Sequence, residues 1–132
     1  MLDGPMSRRS SRALVVVGSG ARLAYAAGLL LAPDAMGKRR MAARTPGNGY
    51  ARMTTRGFGS LHSNLALVSI RSAIIDRDLR LILGLNIGCD FGDLIATLLE
   101  WRKHELPAAA FVGSLALQSV GITVSSLALR GL

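Results

Sequence analysis

Cysteine occurs once in this chain, at Cys89, so no intramolecular disulfide can form and the redox compartment stays open. Aromatic residues are scarce too, at 5%. A soluble core of this size usually draws on Phe, Trp and Tyr, because rings bury the most area per residue. Acidic residues are outnumbered, 8 against 16 Lys and Arg, for a net charge of +8. His62 and His104 are the only histidines. With Cys89 they are too few and too scattered for a metal site, and His62 alone is a poor axial set for a haem. No G-x-S-x-G surrounds a serine, and no lysine follows Gly18-Ser19-Gly20 at phosphate-loop spacing. The expectation is therefore a non-enzyme with no cofactor and no metal.

What is abundant is aliphatic. Half of the 132 residues are hydrophobic, mostly Leu, Ile, Val and Ala, interleaved with 15 glycines. Four apolar stretches stand out, over about residues 13–32, 58–75, 81–99 and 107–129. Crossing ~30 Å of hydrocarbon takes about 20 helical residues, which each stretch approaches, the second being the shortest. None alternates polar and apolar residues as a barrel strand would. The fold expected is all-α: a polytopic four-transmembrane-helix bundle over residues 13–132, preceded by a basic tail at 1–12. Trp101 falls where an interfacial aromatic anchor would sit.

The basic residues lie mainly between the apolar runs, which fits lipid headgroups better than nucleic acid. The long connection over 33–56 is the richest: Lys38, Arg39, Arg40 and Arg44 are the expected contacts to anionic headgroups, and Arg52 and Arg56 follow. Its first half has the makings of a short interfacial helix, and Thr45-Pro46-Gly47-Asn48-Gly49 reads as a turn. The joins at 76–80 and 100–106 suit antiparallel neighbours. Four spans put both termini on one side, with Arg8, Arg9, Arg12, Arg77, Arg80 and Arg130. The six bases of the long connection, with Arg102 and Lys103, face them. Six against eight is too small a bias to set orientation.

Two motifs near the N-terminus lead elsewhere. Val15-Val16-Val17-Gly18-Ser19-Gly20 looks like a strand entering a dinucleotide-binding turn, but Leu23 stands where a third glycine belongs, and no sheet follows. Ser7-Arg8-Arg9 before an apolar run looks like an export signal. Arg22 interrupts that run, which is also longer than a cleaved signal needs, so a retained first helix is expected.

Charges at bilayer depth are costly, about 2.5–3.5 kcal/mol each on insertion scales, and they usually face the bundle interior in pairs. Arg22 and Asp90 are near the middles of the first and third spans, which run in the same direction, so an ion pair between them is expected. Asn86, Asp90, Asp93 and Thr97 share one helical face, and His62 lies at a depth to reach Asp93. Arg71, near a helix end, is expected to snorkel outward. Small residues recur every fourth position at Gly20, Ala24 and Gly28, and at Gly84, Gly88 and Gly92, a spacing that allows tight helix contact in lipid. Ser114, Gln118, Gly121 and Ser125 give the uncharged fourth span a mildly polar face.

Gly18-x3-Arg22, the closing Pro33, the opening Arg56-x2-Gly59 and the acid face around Asp93 together resemble small, uncharacterised four-helix membrane proteins widespread in high-GC bacteria. The resemblance covers most of residues 13–129. It implies a multi-pass protein of the bacterial plasma membrane, with no settled activity. Such proteins often carry Arg-Asp just after the second-helix glycine, where this chain has Leu61-His62.

Two functions remain. The first is a non-catalytic accessory, assembly or scaffold subunit of a membrane complex, partnered by another membrane protein or by its own copies. The alternative is a small transporter or proton conductor working through Asp90 and Asp93 with Arg22 and His62. Four short helices leave little room for alternating access, and matched broken helices are missing, which favours the first.

Overall fold

The computed structural model describes residues 6–36, 49–104 and 106–132. Four helices account for most of them: α1 (Arg8–Leu31), α2 (Gly49–Ile75), α3 (Leu79–Arg102) and α4 (Ala108–Arg130). No strand occurs among the described residues. A further helical turn over 33–36 folds back so that Met36 lies against Gly28. The predicted headgroup contacts Lys38, Arg39, Arg40 and Arg44 lie outside the described residues, as does most of the predicted turn.

The helices pack as a four-cornered ring. α1 lies against α2 and α4, and α3 lies against α2 and α4. No backbone contact joins α1 to α3, or α2 to α4, among the described residues, so those pairs are diagonal. Cross-contacts give the directions. The start of α1 meets the end of α2 through Arg8 and Asp76 (3.1 Å), and the end of α1 meets the start of α2 where Gly59 abuts Ala26 and Leu29. The same logic makes α2–α3, α3–α4 and α4–α1 antiparallel.

Local chemistry explains the helix ends. Ser7 caps α1 by accepting a hydrogen bond from the Ser10 N–H at 3.2 Å. α2 stops at Asp76, whose φ of 55° is left-handed, and Arg77 N–H then donates back to the Ser72 carbonyl at 3.2 Å. Arg12 of α1 donates to the last-turn carbonyls of Ala73 (2.6 Å) and Ile74 (2.8 Å). Arg56 of α2 reciprocates on Leu30 O of α1 at 3.4 Å. Each helix of this pair thus has its C-terminus tied down by an arginine of the other.

Burial is inverted relative to a soluble protein. The buried polar residues include Ser11, Ser19, His62, Ser69, Asn86, Asp90 and Gln118. Over half of the buried hydrophobic positions are alanines, whereas Val17, Leu67, Ile74, Leu81, Val112 and Val120 are each more than half exposed. Water would penalise this arrangement by about 25 cal/mol per Å² of apolar surface, whereas lipid does not.

Three helices, α1, α3 and α4, are long and apolar enough to cross a membrane. The second predicted span, 58–75, lies within α2, whose helix begins earlier, at Gly49; α2 is not apolar enough on average to count with the other three. Polar residues lower the mean hydropathy of α2 on both sides: Thr55, His62, Ser69 and Ser72 are buried, while Ser60, Asn64 and Arg71 are exposed.

Candidate functional site

Neighbouring helices pack about 8–10 Å apart, so a diagonal across four is roughly 11–14 Å. A short side chain cannot cover that distance, whereas arginine facing aspartate can. Arg22 reaches across from α1 to α3, where Nη1 donates to Asn86 Oδ1 at 2.8 Å and Nη2 donates to Asp90 Oδ2. The pair is largely enclosed, with side-chain exposures of 15% and 6%. Asn86 Nδ2 donates in turn to Ser69 Oγ of α2 at 2.8 Å, and Ser69 Oγ donates to Leu65 O at 2.6 Å. A single chain of hydrogen bonds therefore ties α1, α3 and α2 through the middle of the bundle.

The fourth helix enters through a glycine. A Cβ on Gly121 would meet the Asp90 carboxylate, with Cγ at 2.9 Å, and Arg22 Nη2 at 3.2 Å. α4 therefore presents bare backbone to the ion pair, and any side chain there would push Asp90 away.

A second cluster sits nearer the end of α3. His62 Nε2 is 3.7 Å from Asp93 Oδ2, and the imidazole lies among the rings of Phe58 (centroids 5.6 Å apart) and Tyr25 (6.1 Å, edge-on). Thr97 Oγ1 donates to Asp93 O at 2.8 Å and is paired with Gln118 Nε2 at 3.0 Å. A hydroxyl has one proton, so Thr97 must accept from the Gln118 amide. In this arrangement Gln118 Oε1 is buried with no partner among the described residues.

Both clusters border a cavity of about 170 Å³ between α1, α3 and α4, with His62 contributed by α2. The sequence-predicted residues Arg22, His62, Asn86, Asp90 and Asp93 line it, and Thr97 stands behind Gln118. Arg71 is exposed near the end of α2. No group of three or more metal-ligating side chains occurs among the described residues.

The small-residue stripes are placed differently from a helix seam within this chain. A Cβ on Gly20, Gly84, Gly88 or Gly92 would meet nothing within 4 Å, Ala24 is exposed, and a Cβ on Gly28 would lie nearest to Met36, at 3.3 Å. The close approaches fall instead at Gly59, where a Cβ would lie 3.0 Å from Ala26 O, and at Gly18, 3.0 Å from Val124. Sequence reasoning also missed Ser69, Tyr25 and Gly121 as parts of the site. Ser69 was detectable: Thr55, His62 and Ser69 recur every seven residues, which holds them on one face of α2. Nothing in the sequence pairs Gly121 with Asp90, because that match depends on the shape of a neighbouring helix.

No protein-family model, no curated protein and no solved structure matches this chain.

Proposed function

We propose that this chain is a four-helix protein of the bacterial plasma membrane, with both termini on one side, acting as a non-catalytic accessory or scaffold subunit of a membrane complex. The observation that carries this reading is how the interior charges are used. Arg22, Asp90, Asn86 and Ser69 bond one another across three helices, which is the arrangement of a lock that fixes helix register. A fourth crossing by α2 is supported by its exposed Leu61, Leu67, Val68, Ile74 and Ile75, which outnumber the exposed Ser60, Asn64 and Arg71 beside them. The open stripe of Gly84, Gly88 and Gly92 supports a protein neighbour or a second copy, because small residues let another helix approach closely.

The His62–Asp93 contact beside a cavity favours a second reading, in which the pair passes protons or a small solute. Asp93→Asn separates the two. The scaffold reading expects lower abundance or failed assembly, whereas a relay loses flux in reconstituted vesicles while the protein still accumulates. The first reading also expects stoichiometric foreign subunits when the protein is purified from native membranes in mild detergent. A lone monomer there contradicts it.

A further inference from the structure

The cavity described above has features that a lock alone does not require. Its volume, about 170 Å³, is close to that of an engineered apolar protein cavity of about 150 Å³ that holds benzene. The wall is two-sided: Val15, Leu83, Leu117, Val120 and Val124 supply an aliphatic side, and the residues of the two polar clusters supply the other. The rim lies on the outer face of the bundle, where Leu117 is 42% exposed, Val120 is 60% exposed, and Ala21 is also exposed. In a bilayer that mouth faces hydrocarbon, so whatever enters must dissolve in lipid.

The polar end sets the rest of the chemistry. Arg22 is paired with Asp90, and His62 faces Asp93, so the cavity offers an anion no uncompensated cation. Gln118 is 5% exposed and borders the cavity; its Nε2 is committed to Thr97, and Oε1 accepts no hydrogen bond among the described residues. A buried acceptor of this kind calls for a donor. We propose that the cavity binds a neutral, lipid-soluble molecule built on a single ring and bearing one hydroxyl group. The hydroxyl donates to Gln118 Oε1, and the ring packs against the aliphatic wall between α1 and α4.

The test uses the full chain in detergent micelles and reads its thermal unfolding midpoint against p-cresol, with toluene as the ring lacking a hydroxyl. Wild type is expected to show a saturable rise with p-cresol, at an apparent affinity about tenfold better than with toluene, the weight of one hydrogen bond. Gln118→Met should reduce p-cresol to the toluene affinity, and Val120→Trp, at the exposed mouth, should abolish the response to both. No saturable rise in wild type overturns the site. Equal p-cresol affinity in wild type and Gln118→Met overturns the hydroxyl assignment, and an unchanged Val120→Trp response overturns entry from the lipid side.

Discussion

Arg22 is the side chain on which the interior turns, because it alone is long enough to cross from α1 to α3 and present two donors there. Its value lies in the pairing rather than in the charge itself. Removing one partner of a buried pair typically costs about 3–5 kcal/mol, while replacing both with apolar groups of similar volume is often neutral. Asp90→Leu is therefore expected to lose most folded protein, and Arg22→Met combined with Asp90→Leu to recover most of it, as measured by monodisperse yield from membranes. If the double variant is no better than the single, the pair does more than lock the helices. Arg22 and Asp90 were legible from sequence because they are opposite charges near the middles of apolar runs, on helices that run the same way. Gln118 and Gly121 were legible only as a faintly polar face: their roles depend on which atoms Thr97 and Asp90 present to them.

Among the elements, the closely packed α1–α2 pair shows what spacing patterns leave out. Repeats of small residues pointed to Gly20, Gly84, Gly88 and Gly92, yet the tight seam runs through the isolated Gly59, against Ala26 O and Leu29 Cβ, each 3.0 Å from a built Cβ. A period tells which residues share a face, but not which neighbour that face meets. Gly59→Leu should force α1 and α2 apart and cost about 1–3 kcal/mol. Gly88→Leu should leave the unfolding midpoint of the isolated chain unchanged or raised, since leucine is also the better helix former. Reversible unfolding in mixed micelles checks both, and a large loss at Gly88 would mean the stripe is packed within the chain. Helix limits were less legible than helix existence. α2 continues through Arg52, Thr54 and Thr55, where hydropathy gives no signal, because backbone hydrogen bonding and the Arg56 contact to Leu30 O do not require apolar side chains.

At the level of the whole molecule, alanines and polar residues dominate the buried positions among the described residues, and most large aliphatic residues are outside, Val15, Leu29, Leu79 and Leu83 excepted. Sparse aromatics and long apolar runs pointed to helices suited to lipid rather than to a soluble core, but not to which residues would be inside. Orientation was not legible, because arginines flank both ends of the bundle. The number of crossings is the central claim, and α2 decides it, being long enough at 27 residues, or about 40 Å, but diluted by polar residues, some buried, such as His62, and some exposed, such as Asn64 and Arg71. The most direct measurement is labelling of single-cysteine variants, in a Cys89→Ala background, with a membrane-impermeant maleimide on intact cells and on inverted vesicles. Asp34→Cys, between α1 and α2, and Arg77→Cys, between α2 and α3, bracket the helix in question. The account predicts that the two are labelled from opposite sides of the membrane; labelling of both from the same side would mean that α2 does not cross, and would contradict it.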